Sequence, residues 1–385
     1  MDASAPVDFD IVIPTRNRCP YPPDGDLAVR NPLVWTLETI AADAGAPVRS
    51  VIVVDDASTD HTAAVLRAMS VLRPWLRLSH IRLSSHHGSA AARNCGVRLA
   101  SSEWLLFTDD DCLFGRHGIR RAAELVAHLR RRDPRLAALN LPYYLRRRTP
   151  ARVVPVSAIG EFDPWRGRVS GNFDTLPDRP GGAAVGSERL ACPIPVRNLG
   201  CTFAAGRRSF LAAGGFPQDF HWKNSYGEET ELAARMTEAG GTLYYAPDPR
   251  CHVVHMKYGA EMPPGPEEDG ASRFTILGKA CTLAELSAWS NQPQAGSGNR
   301  VAPGYAVYSR ILSYFCIMGS RSVWGACRWL WHSYRDVVHA PSGAAAAGLS
   351  RTERAAIWRS AAWRGFRRAF RLRLATLPLH HERRP

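Results

Sequence analysis

The amino-acid sequence predicts an α/β fold in which a mostly parallel, Rossmann-like sheet is flanked by helices. From residue 9 to about residue 140, short apolar runs alternate with longer stretches of helical spacing. The runs are continuously apolar, as in "VIVV" at 51–54, which is typical of strands buried on both faces. Strands that alternate with helices form βαβ units, in which neighbouring strands run parallel.

Each element of this first half has its own signature. The expected strands are "FDIVIPT", "VRSVIVVDD", "RLSHIRL" and "EWLLFTDDD", and the expected helices between them are "NPLVWTLETIAADAG", "TDHTAAVLRAMSVL" and "GSAAARNCGVRLA". Gly45 stands where the first helix should stop, and Ser58 or Thr59 can cap the second helix. A later helix, "YGEETELAARMTEAGG", is expected to end at Gly240 and Gly241.

Composition divides the rest of the chain into segments. Proline and glycine interrupt the periodicity at 141–197, and two polar, proline-containing stretches flank a helix-like piece after residue 260. The expected segments are a globular domain at 1–260, with halves at 1–140 and 198–260 around an irregular insertion at 141–197, then a linker at 261–300 and a helical basic region at 301–385.

The carboxy-terminal region is strongly basic. The 385-residue chain carries a formal net charge of +14, and residues 351–385 hold ten arginines against two glutamates. A basic amphipathic helix follows from apolar side chains that recur every four residues: Trp358, Ala362, Phe366, Phe370 and Leu374. Such a helix suits an anionic membrane surface or packs on its own domain, and we expect no nucleic-acid partner.

Several features indicate a cytoplasmic protein that either stays free or associates peripherally with a membrane. The nine cysteines form no C-x-x-C pair, which favours reduced thiols over a zinc ribbon or a redox dithiol. The first residues lack the basic and apolar parts of a secretory signal. The most apolar late stretch is interrupted by Arg321 and Arg328, so no membrane span is expected.

Polar residues follow three of the expected strands: Thr15-Arg16, Asp55-Asp56 and Asp109-Asp110-Asp111. In an open α/β sheet, ligands bind beyond the carboxyl ends of the strands. The three groups are therefore expected on one edge of the sheet, where a ligand would bind.

The three consecutive aspartates are the most distinctive feature. In an extended segment, Asp109 and Asp111 would share a face while Asp110 points elsewhere. A D-x-D pair at a strand end can bind a divalent cation such as Mg²⁺ or Mn²⁺, which uses few protein carboxylates and takes further ligands from a phosphate. The alternative is a solvated acidic loop that caps the next helix.

Other polar positions carry two interpretations each. Asp55 and Asp56 serve either a ligand or the cap and turn before a helix. Arg93, one turn into "GSAAARNCG", can help hold an anion, although no P-loop and no G-x-G-x-x-G pattern is present. Glu228 and Glu229 are either ordinary first-turn acids or include a general base.

"CHVVH" at 251–255 offers two histidines. At a spacing of three on a strand, His252 and His255 would face opposite sides, so at most one of them would reach a metal ion. A histidine on a strand can equally be a structural residue.

Taken in order, several motifs resemble those of family 2 glycosyltransferases, whose fold is GT-A: "DIVIPTRNR", "VIVVDDASTD", "GSAAARNCGVRLA", "WLLFTDDDC", "GGFPQDF" and "YGEETELAARMTEAG". The resemblance covers residues 9–256. It implies a GT-A domain within 1–260, whose first half binds the nucleotide sugar and whose second half serves the acceptor and catalysis.

The resemblance also implies roles for individual residues. Asp109 and Asp111 would be the D-x-D pair that binds Mn²⁺ or Mg²⁺, with His255 completing the metal shell. Glu229, where the family usually has aspartate, would be the general base beside Glu228. The implied contacts of the donor are Thr15, Arg16, Asp55, Asp56, Arg93, Asp109 and Asp110.

The implied reaction is a single displacement, metal dependent and inverting, that moves a hexose from a nucleotide-diphosphate sugar, expected to be UDP-linked, to an acceptor hydroxyl. In it, Arg93 and the metal stabilise the departing diphosphate. The acceptor is left open among a polysaccharide, a lipid-linked molecule and a small molecule. Two other hypotheses remain: a nucleotidyltransferase of similar fold, and a catalytically silent scaffold that binds a sugar or a membrane.

Overall fold

The structure is a computed structural model. It describes residues 7–43, 45–145, 154–156, 161–163, 168–170, 193–196, 199–217, 228–246, 248–251, 253–256, 273–282, 285–286, 330–331, 334–335, 338 and 350–376. The helices are α1 (Pro32–Ala42), α2 (Thr62–Leu72), α3 (Ser89–Leu99), α4 (Gly118–Arg132), α5 (Arg207–Ala212), α6 (Glu228–Glu238) and α7 (Arg351–Thr376).

The strands that precede the insertion and those within it are short to medium in length. They are β1 (Phe9–Thr15), β2 (Val48–Asp55), β3 (Leu78–Arg82), β4 (Trp104–Phe107), β5 (Cys112–Phe114), β6 (Leu136–Asn140), β7 (Tyr143–Leu145), β8 (Val154–Val156), β9 (Glu161–Asp163) and β10 (Arg168–Ser170). The remaining strands are β11 (Ile194–Val196), near the end of the insertion, and β12 (Phe203–Gly206), β13 (Thr242–Tyr245), β14 (Val253–His255), β15 (Arg273–Ile276) and β16 (Lys279–Thr282) after it.

Eight of the described strands form the main sheet, in the order β11-β13-β6-β12-β4-β1-β2-β3. β1 pairs in parallel with β2 and β4, β2 pairs in parallel with β3, and β6 pairs in parallel with β13. The antiparallel strands are β12, which lies between β4 and β6, and β11 at the edge. This arrangement confirms the predicted α/β class with a mostly parallel sheet flanked by helices.

The central strands are buried, as their continuous apolar runs predict. Every residue of β1 is buried, and so are the last five residues of β2. Helix α3 packs very closely on these strands, because an added Cβ at Gly96 would lie 2.6 Å from Val12 Cγ1. The glycine in "RNCG" therefore serves helix–sheet packing, which fixes where Arg93 emerges from α3.

A second sheet begins at Asp109–Asp111, which we call the acidic turn. Its strand order is β5-β14-β7-β8, and β5 begins directly after Asp111. Strand β14 pairs antiparallel with β5, so that His255 lies opposite Cys112, and Met256 N donates to Asp111 O across 2.8 Å. β7, within the region predicted to be an irregular insertion, pairs in parallel with β14. The main and second sheets thus meet at the three aspartates.

Two local predictions are wrong. Residues 273–282, expected to be a helix-like piece of a linker, form the hairpin β15–β16, because Leu277 and Gly278 both have positive φ in a two-residue turn. Neither Ser58 nor Thr59 caps α2, which begins at Thr62; the Asp60 carboxylate accepts from Thr62 N instead. The predicted ends at Gly45, Gly240 and Gly241 are confirmed by the bounds of α1 and α6.

Helix α7 confirms the predicted helical carboxy-terminal segment. The apolar side chains of α7 are partly shielded from solvent: Ala362 is buried, and Trp358 and Phe366 are half-buried. The side chains of Phe370 and Leu374 lie outside the described residues. None of the described helices is both long and apolar enough to cross a membrane.

Candidate active site at the carboxyl edge of the sheet

The carboxyl ends of β1 and β2 meet at one edge of the sheet, as predicted. Thr15 and Asp55 are partners in the parallel register, and Asp56 N donates to Thr15 O across 2.8 Å. Asn17 ties the two following loops together: its N–H donates to Ser58 Oγ and its Oδ1 accepts from Thr59 N. The first two polar groups therefore form one rigid surface.

The acidic turn differs from the prediction. Strand β4 ends at Phe107, so the aspartates lie in a turn, where the alternation of a strand does not apply. Arg18 Nε lies 2.9 Å from Asp110 Oδ1, and Arg18 Nη2 lies 3.0 Å from Asp111 Oδ2. Asp110 and Asp111 thus converge on one guanidinium, while Asp109 contacts Arg93; the expectation that Asp110 points away from Asp111 is therefore wrong.

Burial governs the ionisation of this turn. It raises the pKa of Asp110 to about 6, Arg18 acts against that rise, and the neighbouring Asp111 and Asp109 reinforce it. Carboxylates this close resist ionising together unless a cation accompanies them. The turn is consequently a place where added positive charge is favourable.

Arg93 links the acidic turn to the start of α6. Its side chain is almost fully buried, with Nη2 2.5 Å from Asp109 Oδ1. Nη1 contacts Glu228 Oε1 directly and lies 3.4 Å from Glu229 Oε1. Although burial opposes its charge, the carboxylates of Asp109, Glu228 and Glu229 raise the pKa of Arg93, so it remains protonated.

Glu228 and Glu229 occupy different environments. Glu228 is buried and accepts a hydrogen bond from Ser89 Oγ at 2.6 Å in addition to the contact with Arg93. The side chain of Glu229 is 17% exposed. Burial raises the pKa of Glu229 to about 8, the charges of Glu228 and Asp109 add to the rise, and Arg93 opposes it. Glu229 is therefore able to exchange a proton near neutral pH.

Asp55 and Asp56 are buried and accept hydrogen bonds from two different loops. Asp55 Oδ1 accepts from Ser58 N; burial opposes its ionisation, but His80 and Ser58 lower the pKa of Asp55. Asp56 receives hydrogen bonds from His86 Nδ1 at 2.6 Å, from the backbone N–H of His87 at 2.7 Å and from that of Gly88 at 2.8 Å. Asp56 thereby fixes the loop that leads into α3.

The remaining predicted positions are also at this edge or beside it. Thr15 is buried at the end of β1, and Arg16 is half-buried, with an Nε atom that is buried and has no hydrogen-bond partner among the described residues. The backbone of His255 lies in β14 opposite Cys112, next to the acidic turn. The side chain of His255, and all of His252, lie outside the described residues.

The donor set of the acidic turn fits a hard divalent cation in its chemistry. Asp109 and Asp111 supply carboxylate oxygens within one turn, and the Asp109 side chain is 26% exposed and so accessible from the solvent. Within the described part of the chain, no three His, Cys, Asp or Glu side chains gather as a metal site.

Sequence reasoning did not identify Arg18, Ser89 or His86. Each of them contacts a predicted site residue that is between 30 and 139 positions away in the chain. Arg18 belongs to the quoted "PTRNR" and Ser89 to "GSAAARN", but neither motif specifies a partner. These pairs come together only when the elements pack in three dimensions.

Residues 10–188 match the family described as glycosyl transferase family 2. None of the curated proteins matches the chain. Among solved structures, S. aureus TarS 1-349 in complex with UDP-GlcNAc is 15% identical, with a TM-score of 0.50, over 96% of this chain and 84% of that one. This likeness shows the fold.

Two further solved structures are similar at a TM-score of 0.45. The mannosyltransferase PcManGT from Pyrobaculum calidifontis, in complex with GDP-Man and Mn²⁺, is 15% identical over 98% of this chain and 78% of that one. GalNAc-T7, with UDP, GalNAc and Mn²⁺, is 17% identical over 66% of this chain and 44% of that one, so this chain matches less than half of its length.

Proposed function

Since this chain is a family 2 glycosyltransferase of the GT-A fold, we propose that it moves a hexose from a UDP-linked sugar to an acceptor hydroxyl, with inversion and with a divalent metal. The observation that carries the proposal is the position of Arg93. One buried guanidinium contacts Asp109 of the acidic turn and both glutamates of α6. The groups suited to the donor and to the acceptor thus share one site.

Glu229 is the general base of the proposed reaction. Glu228 is buried and held by Ser89 and Arg93, whereas Glu229 is partly exposed and has a pKa raised to about 8. A base of this pKa takes a proton effectively near neutral pH. The acceptor oxygen then attacks the anomeric carbon, the bond from that carbon to the diphosphate oxygen breaks, and the nucleoside diphosphate leaves. A single displacement of this kind inverts the configuration.

The nucleotide sugar binds along the edge of the sheet that carries Thr15, Arg16, Asp55 and Asp56. The buried Nε of Arg16 supports an anion contact there, because a buried donor without a partner is unfavourable until a ligand accepts its hydrogen bond. Asp110 lies at the same edge and contributes through its contact with Arg18. The preference for a uridine nucleotide is part of this proposal and should be tested first.

Mn²⁺ or Mg²⁺ would be held by Asp109 and Asp111, with His255 as a third ligand. When bound, such an ion neutralises negative charge on a diphosphate leaving group. Arg93 serves a different purpose from the one implied by sequence: three carboxylates already occupy it, so it positions Asp109 and Glu229 rather than binding the diphosphate.

The experiment that tests this function measures nucleoside diphosphate release from a panel of nucleotide sugars, with and without Mn²⁺, in the presence of candidate acceptors. We expect one UDP-sugar to be used, in a metal-dependent manner. Asp111→Asn should abolish the metal dependence together with the activity. Glu229→Gln should bind donor but not transfer the sugar. An absence of release from every donor would overturn the proposal.

We also assign a membrane contact to the exposed face of α7 and a cytoplasmic, peripheral location to the chain. Arg359 is exposed and Trp363, four residues later, is 65% exposed, so the two side chains are neighbours on the exposed surface of α7. Arginine beside an exposed tryptophan suits an anionic lipid surface. Flotation with anionic and neutral vesicles tests this: binding to neither, or no loss of binding in Arg359→Glu, would contradict it.

A further inference from the structure

The last described helix, α7, packs on the helix that begins with the proposed base. Helix α6 starts at Glu228 and Glu229, and α7 lies far beyond the residues that match the family. The two helices nevertheless contact each other directly. Both helices lie outside residues 10–188, so the family match does not cover their interface.

The polar part of this interface is centred on Arg368. Its Nη1 and Nη2 donate to the two carboxylate oxygens of Glu238 at 2.8 and 2.7 Å, and its Nε donates to Glu231 Oε1 at 3.1 Å. Glu231 is buried and also accepts from Arg235 Nε at 3.0 Å. Bidentate arginine–carboxylate pairs are geometrically specific, so Arg368 fixes α7 against two turns of α6.

Helix α7 also buries several small residues. Ala361, Ala362 and Gly365 of α7 are buried, and side chains of this size let a helix approach its neighbour closely. Trp358, one turn earlier, contacts Tyr334 edge to face, with ring centroids 5.2 Å apart. Helix α7 is therefore held in place by side-chain packing as well as by the ion pairs of Arg368.

We propose that α7 belongs to the catalytic unit, and that Arg368 is a positioning residue that orients the first turn of α6 and thereby Glu229. The proposal rests on the assignment of Glu229 as the base. Glu231 follows Glu228 by three residues, so both lie on one face of α6. Arg93 holds that face at Glu228 and Arg368 holds it at Glu231.

Two attachment points prevent α6 from rotating or sliding, and either motion would move the Glu229 carboxylate relative to the acceptor. Catalysis is sensitive to displacements on the order of 1 Å. The proposed donor contacts lie at the ends of β1 and β2 and in the acidic turn, outside α6. Loss of Arg368 should therefore lower kcat and leave the KM for the donor unchanged.

The test compares Arg368→Ala with Arg367→Ala in the full chain, without membranes. Arg367 neighbours Arg368 on α7 but is exposed, so it is a matched control for charge. We expect Arg368→Ala to lower kcat about tenfold at a donor KM within twofold of the wild type, and Arg367→Ala to match the wild type. Arg368→Lys, which keeps the charge and loses the bidentate contact, should recover part of the loss.

Hydrogen exchange of the α6 amides provides a second measurement that needs no substrate. Arg368→Ala should exchange faster in the first turn of α6, and Arg367→Ala should not. A kcat within twofold of the wild type, or unchanged exchange in α6, would overturn the inference. Failure of the proposed function is distinguishable, since it appears as a wild type inactive with every donor.

Discussion

Arg18 Nη2 lies 3.0 Å from Asp111 Oδ2, so the carboxylate proposed to bind a metal ion is already paired with a cation of the protein. The same guanidinium binds Asp110 through Nε. Two buried aspartates in adjacent positions require positive charge nearby, and Arg18 supplies it. A divalent ion that binds Asp111 must therefore compete with Arg18.

Replacing Arg18 should tighten metal binding. In Arg18→Gln, Asp111 keeps its charge and loses its competitor, so we expect the affinity for Mn²⁺, measured by calorimetric titration without substrate, to rise roughly 3- to 10-fold, the equivalent of about 1 kcal/mol. Arg116→Gln is the matched control, because Arg116 is exposed and follows the same turn. Equal or weaker Mn²⁺ binding in Arg18→Gln would show that the two cations do not compete.

The rate of transfer should follow the ionisation of Glu229. The base is active only when deprotonated, and its pKa is raised to about 8, so kcat/KM should increase with pH up to about 8 and level off above it. The profile is to be measured with the donor that the panel identifies. An acid limb near the ordinary glutamate pKa of about 4.3 would contradict the assignment of Glu229.

The stability of the protein should also depend on Glu229. Because its pKa is higher in the folded chain than in the unfolded chain, the protonated group favours the fold at low pH, and this contribution is lost as pH rises through about 8. Glu229→Gln removes the loss, so its Tm should match the wild type near pH 4 and exceed it at pH 8.5. Parallel Tm curves for the two proteins over this range would contradict the expectation.

Arg93→Lys should be strongly destabilising although it conserves charge. An ammonium group cannot reach Asp109, Glu228 and Glu229 together as the planar guanidinium does, so a buried carboxylate loses its partner. We expect a loss of about 2–4 kcal/mol in the free energy of unfolding, measured with urea. Arg98→Lys, at an exposed position of α3, should change it by less than about 0.5 kcal/mol.

Gly96→Ala tests the close packing of α3. The added Cβ would lie 2.6 Å from Val12 Cγ1 and 3.3 Å from Val54 Cγ2, so either α3 or the strands must shift. The expected cost is about 1–3 kcal/mol in the free energy of unfolding, together with reduced activity because Arg93 moves with the helix. If Gly96→Ala were as stable as the wild type, α3 would have room that this structure does not show.

Much of the fold could be predicted because its signals are local. The bounds of β1 coincide with "FDIVIPT", and the strand before Asp55 and the helix after Glu228 follow directly from continuous apolar runs and from glycine positions. The hairpin at 273–282 was missed because a two-residue Leu-Gly turn with positive φ gives only a weak sequence signal. The cap of α2 was missed because three polar residues in succession compete for that role.

Local sequence patterns predict most elements of residues 9–140 and the side chains at the strand ends, since periodicity and turn chemistry act over a few residues. How those side chains pair is set by the three-dimensional packing of distant elements. Asp110 and Asp111 meet Arg18 across about 90 positions, Glu228 meets Ser89 across 139, and Arg368 meets Glu231 across 137. An ion pair depends on the distance between two side chains in space. The local sequence pattern does not indicate which distant helix will bring an arginine to a given carboxylate.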